Sequence, residues 1–257
     1  MMRTYVITGA ASGVGKATAD MVRANGDKVI SVDLHDADVI ADLSSKEGRE
    51  HMVAEVGRLT DGKIDVIVAN AGLSINASVT LAVNYFGALA TLEGLHPYLA
   101  GSDSPRAVIT ASMASLQPFN QEILDLSLAG DEEAAMKVAE ANSDPAGYVN
   151  YPTSKRALVR WMREHAISEE WAGAGIPLNA IAPAIILTPM TEPIFADPVQ
   201  RENMLSKVPM PLNGPAPAEA CASAIMFLAS EANTHICGQV LFTDGGYEAS
   251  TRGAGQW

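Results

Sequence analysis

The hydrophobic positions of this 257-residue chain form short apolar runs that alternate with longer amphipathic segments. The runs have the length and β-branched content of buried strands, and they cover residues 5–7, 28–33, 37–43, 64–69, 106–112, 177–183 and 239–243. In the segments between them, apolar residues recur every three or four places, which predicts helices. Strands that alternate with helices predict α/β architecture, a single domain with a doubly wound parallel sheet and helices on both faces.

The first apolar run stops at a glycine-rich turn that contains Gly9, Gly13 and Gly15. A helical pattern follows and ends at Asn25-Gly26, as a C-cap would. Glycines let the backbone approach a pyrophosphate, which then lies at the positive end of the helix. The turn therefore predicts a dinucleotide cradle. The alternative is a βα loop that binds nothing, and three glycines between strand and helix argue against it.

The second run ends on Asp33, which is 18 residues after Gly15. That spacing is typical of the carboxylate that binds the adenosine ribose hydroxyls. A carboxylate here would repel a 2′-phosphate, and residues 10–15 include no Arg or Lys that would hold one. The pattern predicts NAD(H) rather than NADP(H). A strand-end turn aspartate is the alternative.

Tyr151 and Lys155 are four residues apart, so a helix would place them on one face. An ammonium near a phenol favours the phenolate and is expected to lower the tyrosine pKa, which suits acid–base chemistry near neutral pH. Taken alone, the pair also fits an ordinary surface helix. Tyr148 is no equal candidate, because Pro152 occupies the position one turn further on.

Composition excludes several classes of function. Hydrophobic residues make up 48% and charged residues 18%, which is a globular profile, and the net charge of −13 argues against a nucleic-acid partner. Cys221 and Cys237 are too few for a disulfide framework or metal site, and the five histidines lack ligand spacing, so no metal is predicted. No apolar stretch reaches spanning length and no signal-peptide pattern is found, so we expect a soluble cytoplasmic protein that does not bind membranes.

A series of short motifs resembles the short-chain dehydrogenases/reductases over essentially the whole chain. The motifs, in chain order, are Thr8-Gly-x-x-x-Gly-x-Gly15, Asp42-Leu43, Asn70-Ala71-Gly72, Val83-Asn84, Ser112, Tyr151-x-x-x-Lys155, Asn179-x-Ile-x-Pro183, Thr188 and Asp244-Gly-Gly246. Each is weak alone, but the joint pattern is specific. The resemblance implies a single Rossmann-like domain over residues 1–257.

The resemblance also assigns roles. Tyr151 would transfer a proton, Ser112 would hydrogen-bond the substrate oxygen, Lys155 would hold the nicotinamide ribose, and Asn84 would connect Lys155 to solvent through a water. Ser115 is the runner-up to Ser112 as a pocket hydroxyl. The cofactor-binding residues implied by the family are Gly9, Ser12, Gly13, Val14, Gly15, Asp33, Asp42, Leu43, Asn70, Ala71, Gly72, Tyr151, Lys155, Pro183, Ile186 and Thr188. The family usually has glycine where Ala184 stands.

Two length changes depart from the usual family member. Only 13 residues lie between Asn70 and Asn84, whereas 38 lie between Ser112 and Tyr151. The extra stretch, at about 116–147, carries a helical pattern over residues 131–141 and would shape the pocket, block or replace a subunit interface, or decorate the surface. This combination resembles the bacterial 3α-hydroxysteroid dehydrogenase/carbonyl reductase subgroup and coniferyl-alcohol-type dehydrogenases. Residues at about 188–215 are expected to form a substrate loop.

The resemblance implies an NAD-dependent enzyme that interconverts a hydrophobic secondary alcohol and its ketone, of hydroxysteroid, terpenoid or aryl alcohol type. The alternatives are an epimerase or dehydratase of the same fold, or a non-catalytic dinucleotide-binding regulatory protein. A homodimer or homotetramer is expected.

Overall fold

The computed structural model describes residues 2–143 and 148–256. The strands are β1 (Thr4–Thr8), β2 (Lys28–Asp33), β3 (Val39–Ile40), β4 (Val66–Ala69), β5 (Arg106–Thr110), β6 (Leu178–Pro183), β7 (Ile186–Leu187), β8 (Ala216–Pro217) and β9 (Val240–Thr243). The α-helices are α1 (Gly13–Ala24), α2 (Lys46–Thr60), α3 (Ser78–Leu81), α4 (Ala88–Leu95), α5 (Gln121–Leu128), α6 (Glu132–Ala141), α7 (Asn150–His165), α8 (Glu192–Ala196), α9 (Pro198–Lys207), α10 (Ala218–Ala229) and α11 (Tyr247–Arg252).

Seven of these strands form one parallel sheet in the order β3-β2-β1-β4-β5-β6-β9, and β7 pairs with β8 separately. The chain runs outward from β1 to β3 and then returns to build the other half from β4. Strand order therefore reverses between β1 and β4, and ligands of such sheets bind outside the carboxyl ends of the strands at this reversal. The predicted fold class is confirmed.

Side-chain alternation along β1 explains why the sheet is covered on both faces. Val6 belongs to a buried cluster with residues of α2, α4 and α7. Its neighbours Tyr5 and Ile7 belong to a second cluster with residues of α1 and α10. Because successive strand side chains point to opposite faces, a continuous apolar run requires helices on both sides.

Two strands are shorter than the apolar runs predict. The run over residues 37–43 yields only β3, because the Asp38 carboxylate accepts hydrogen bonds from the backbone N–H (2.9 Å) and hydroxyl (2.6 Å) of Ser31 in β2. The run over residues 106–112 ends at Thr110. Ser112 instead begins a short 3-10 turn, and its Oγ accepts the N–H of Ala114 at 3.1 Å.

The insertion before α7 folds as a helical pair against the domain. Helix α6 lies where the sequence predicts a helix over residues 131–141, whereas α5 is an additional helix with fully buried Ile123 and Leu124. Helix α5 packs on α7, and α6 packs on α3. Arg49 of α2, with an 8% exposed side chain, pairs with Glu132 at 2.8 Å. The last part of the insertion, residues 144–147, lies outside the described residues.

Candidate active site

A cleft of about 750 Å³ opens at the carboxyl ends of the sheet strands. It is bounded by the segments that follow β1, β2, β4, β5 and β6, together with the start of α7. The predicted catalytic and cofactor-binding residues line this cleft except Gly15 and Asn84, which pack against the lining residues Gly9 and Gly72. The runner-up hydroxyl, Ser115, does not line it. Residues scattered over 180 positions of the chain (Gly9 to Thr188) are therefore brought to one place.

Two glycines of the turn, Gly9 and Gly15, are packed too closely to carry a side chain. Gly9 has φ +69°, and a Cβ atom there would lie 2.9 Å from the Cα of Ala71. A Cβ atom on Gly15 would lie 2.0 Å from the carbonyl oxygen of Gly9. This packing brings bare backbone and the N-terminus of α1 to the cleft, where N–H groups and the helix dipole favour an anion. The turn fits the pyrophosphate of a dinucleotide.

Thr8 and Asn70 hold the turn in place. The Thr8 hydroxyl accepts the N–H groups of Asn70 (3.0 Å) and Ala71 (3.1 Å). The Asn70 amide donates to the Thr8 carbonyl at 3.0 Å, and its oxygen accepts from the Thr110 hydroxyl at 2.9 Å. The ends of β1, β4 and β5 are thus joined by side-chain bonds at the floor of the cleft.

Asp33 presents a carboxylate to the cleft at the end of β2. One oxygen accepts the N–H of Ala11 at 2.9 Å, and the other accepts the N–H of Leu34 at 2.7 Å. Each oxygen keeps a further lone pair that suits a ribose hydroxyl. The Asp42 carboxylate behaves differently. Its Oδ1 atom accepts both the N–H (2.9 Å) and the hydroxyl (2.7 Å) of Ser44, which fixes the carboxylate in the turn that lines the cleft.

Tyr151 is the second residue of α7, and the side chain of Ser112 lies within hydrogen-bonding range of its phenol. The Ser112 hydroxyl also lies 3.4 Å from the Pro183 carbonyl oxygen, which it can donate to. Burial raises the pKa of Tyr151, and the bond to Ser112 opposes that rise. The lowered tyrosine pKa expected from the sequence is therefore wrong for this structure, because desolvation of the phenolate is the largest effect.

Lys155 is 3% exposed and donates from Nζ to the Thr110 carbonyl oxygen at 2.9 Å. Its Nζ atom lies 6.0 Å from the centre of the Tyr151 ring. Burial lowers the pKa of Lys155 to about 8. The ammonium is thus held one helical turn from the phenol and lines the same cleft.

Asn84 is fully buried in a π-helical turn, Ala82–Gly87. Its oxygen accepts the N–H of Leu73 at 2.8 Å, and its amide donates to the Leu73 carbonyl (2.9 Å) and to Ser154 Oγ (3.1 Å). A Cβ atom on Gly72 would lie 3.1 Å from Asn84 Oδ1 and 3.3 Å from Lys155 Nζ. Asn84 is therefore near Lys155, and it ties the loop after β4 to α7.

The far end of the cleft has an apolar lining that the sequence motifs do not reveal. Its side chains come from the loop after β4, from the helical segment that follows and from the exit of β7, and they are Leu73, Ile75, Val79, Val83, Pro189 and Met190. The sequence motifs also do not reveal that the Thr110 carbonyl oxygen accepts a hydrogen bond from Lys155. Apolar residues in loops have no periodicity by which they can be recognised as pocket wall.

The expected substrate loop and the insertion contribute unequally to the cleft. Of the stretch 188–215, only residues 188–191 line the cleft. Among the described residues of the insertion, 116–143, none lines it. The insertion approaches the site through α7 and the loop after β4.

Within residues 2–143 and 148–256, no group of three or more His, Cys, Asp or Glu side chains is arranged to hold a metal ion. No helix there is both long enough and apolar enough to cross a membrane.

The class of protein follows from the fold and a family match. The family model described as Enoyl-(Acyl carrier protein) reductase matches residues 9–248. The chain belongs to the short-chain dehydrogenases/reductases, which makes it an oxidoreductase by family.

Individual relatives agree with this assignment. The 3-alpha-hydroxysteroid dehydrogenase/carbonyl reductase of Comamonas testosteroni is 36% identical over 256 residues, which cover 98% of each chain. The 2-(R)-hydroxypropyl-CoM dehydrogenase of Xanthobacter autotrophicus is 29% identical over 97% of this chain and 100% of its own. The crystal structure of 3-alpha-hydroxysteroid dehydrogenase from Pseudomonas sp. B-0831, complexed with NADH, matches with a TM-score of 0.88 and 37% identity, covering 97% and 98% of the two chains.

Proposed function

We propose that this protein is an NAD(H)-dependent dehydrogenase/carbonyl reductase that interconverts a hydrophobic secondary alcohol and its ketone, with Tyr151 as the acid–base group. The observation that carries the proposal is that Tyr151, Ser112 and the buried Lys155 line one cleft, with the Ser112 hydroxyl close enough to affect the Tyr151 phenol. The same cleft is lined by the glycine turn, which fits a dinucleotide.

The side chains have complementary roles in the proposed reaction. When bound, the nicotinamide cofactor supplies or accepts the hydride. In the reducing direction, Tyr151 donates its phenolic proton to the oxygen of the substrate carbonyl, and Ser112 holds that oxygen with its hydroxyl. The raised pKa of Tyr151 keeps the phenol protonated before reaction. The Lys155 ammonium favours the phenolate left afterwards, and Lys155 would also hold the nicotinamide ribose.

Asp33 supports the preference for NAD(H). Its carboxylate is fixed at the cleft by two backbone N–H groups, so it cannot easily turn away from a 2′-phosphate. The related Pseudomonas enzyme is described as complexed with NADH.

The substrate class rests on the apolar end of the cleft and on the relatives. Leu73, Ile75, Val79 and Met190 offer a wall suited to a hydrocarbon skeleton, of hydroxysteroid, terpenoid or aryl alcohol type. The names of the Comamonas and Pseudomonas relatives point to hydroxysteroids within this class. The proposal includes a homodimer or homotetramer, to be measured by light scattering after size-exclusion chromatography.

The test is NADH oxidation with a panel of hydrophobic ketones, comparing wild type with Tyr151→Phe. We expect turnover by wild type and a loss of at least about a hundredfold in kcat for the variant, since general acid catalysis is worth about 10²–10⁴-fold. Tyr98→Phe is the matched control, because the Tyr98 hydroxyl bonds the Val53 carbonyl far from the cleft. A Tyr151→Phe variant as active as wild type would contradict the mechanism. Isomerised or dehydrated product without net NADH oxidation would favour an epimerase or dehydratase.

A further inference from the structure

Helix α7, which carries Tyr151 and Lys155, has no cap of its own. Its N-cap residue is Val149, whose side chain cannot accept a hydrogen bond. The acceptor comes instead from Asn76, whose Oδ1 accepts the N–H groups of Val149 (3.1 Å) and Asn150 (3.0 Å). The first N–H groups of a helix have no partner within the helix, so an outside acceptor stabilises the first turn.

Asn76 also binds the insertion. Its Nδ2 donates to the carbonyl oxygen of Asn142, just beyond the C-terminus of α6, at 3.0 Å. A second bond reinforces the same junction, since the fully buried Asn150 donates from Nδ2 to the Ala139 carbonyl of α6 at 3.0 Å. The insertion and the first turn of α7 are thus joined by two amide side chains.

The position of Asn76 links these contacts to the cleft. It directly follows Ser74 and Ile75, which line the apolar end. Tyr151 lies in the turn of α7 that Asn76 caps, whereas Lys155 lies one turn further along, where its bond to Thr110 holds it independently.

We propose that Asn76 is a positioning residue for Tyr151: by capping α7 from the loop after β4, it fixes the phenol relative to Ser112 and couples that alignment to the insertion. This inference rests on the proposed function for its kinetic consequences, but not for its structural ones. Asn76 affects the reaction through Tyr151. None of the described residues of the insertion lines the cleft, so the bond to Asn76 gives the insertion a role in aligning Tyr151.

The test compares Asn76→Ala, Asn76→Asp and Asp131→Ala in the full-length protein. Asn76→Ala should lower kcat about tenfold, which is the factor that corresponds to losing one helix cap, and should leave the KM for NADH within about twofold. Asn76→Asp keeps the acceptor for the N–H groups of α7 and puts a favourable negative charge at the helix N-terminus, but it loses the Nδ2 donor to the Asn142 carbonyl. It should therefore restore kcat only in part. Asp131→Ala removes the cap of α6, where Asp131 accepts the N–H of Ala134 at 3.1 Å, and should leave kcat unchanged.

Hydrogen exchange read by mass spectrometry gives a result that does not depend on turnover. In Asn76→Ala, the amides of residues 149–154 should exchange at least about tenfold faster, while those of residues 156–165 keep the wild-type rate. Asp131→Ala should accelerate exchange in α6 and leave residues 149–154 unchanged.

Three results would overturn the proposal: unchanged exchange at residues 149–154 in Asn76→Ala, unchanged kcat in that variant, or an equal loss of kcat in Asp131→Ala. If wild type reduced no ketone in the panel, the proposed function would fail. The exchange measurement would then decide by itself whether Asn76 caps α7.

Discussion

Replacing Lys155 with methionine is expected to stabilise the folded protein while removing a group that the proposed reaction needs. Lys155 is 3% exposed, and burial lowers its pKa from 10.5 to about 8. A tenfold change in a proton-binding constant is worth about 1.4 kcal/mol, so keeping the charged form in the fold at pH 7 costs about 3 kcal/mol. Methionine removes this cost together with the hydrogen bond to Thr110, which is worth about 1 kcal/mol. The expected net gain is about 2 kcal/mol in the free energy of unfolding.

The gain should depend on pH in a defined direction. Between the folded-state pKa of about 8 and the unfolded value of 10.5, the unfolded wild-type chain binds more protons than the folded one. Wild-type stability contributed by Lys155 therefore rises with pH across this window, and the methionine variant lacks that rise. The advantage of Lys155→Met should shrink by about 2 kcal/mol between pH 7 and about pH 9.5, which removes nearly all of it.

Urea unfolding followed by tryptophan fluorescence at the two pH values measures both quantities. Lys46→Met is the matched control, because the Lys46 side chain is 78% exposed and its substitution should change stability by no more than about 0.5 kcal/mol. A Lys155→Met variant that is less stable than wild type at pH 7 would refute the reasoning. So would an advantage that persists undiminished near pH 9.5.

Two further substitutions probe the cofactor cradle. Asp33→Asn keeps an oxygen for the Ala11 N–H but removes the charge that repels a 2′-phosphate. The ratio of kcat/KM for NADH to kcat/KM for NADPH should therefore fall about tenfold or more. An unchanged ratio would refute the role of Asp33. Gly15→Ala would place a Cβ atom 2.0 Å from the Gly9 carbonyl oxygen, so the Kd for NADH measured by fluorescence titration should rise at least about tenfold. Gly101→Ala is the control for that change, because Gly101 does not have a positive φ and its Cβ position meets only the Lys63 side chain, at 3.9 Å. Equal Kd values for the two variants would contradict the cradle.

Much of the framework was predictable because burial on both faces leaves continuous apolar runs. The run that became β4 and the periodic pattern that became α1 were placed correctly for this reason. Helix α5 was missed, since Pro118 and several polar residues precede a short apolar pattern with little periodicity. The end of β5 at Thr110 was missed as well, because it depends on the turn that Ser112 begins.

The residues that form the site were easier to predict from the sequence than the direction of the Tyr151 pKa shift. Motif spacing identified Tyr151, Ser112 and Lys155, and all three line one cleft. The predicted direction of the Tyr151 pKa shift was wrong because the spacing indicates a nearby ammonium but not the burial of the phenol, which raises the pKa. The contacts of Asn76 could not be predicted from the sequence for a related reason. Its partners are more than 65 residues away along the chain, and no local pattern records such a contact.

The transfer of deuterium from [4-²H]NADH to a hydrophobic ketone, read by mass spectrometry of the product, tests the central claim most directly. Wild type is predicted to give a secondary alcohol labelled at the carbinol carbon, at a rate at least about a hundredfold above that of Tyr151→Phe. Product without the label, or labelled product formed equally fast by Tyr151→Phe, would contradict hydride transfer with Tyr151 as the acid.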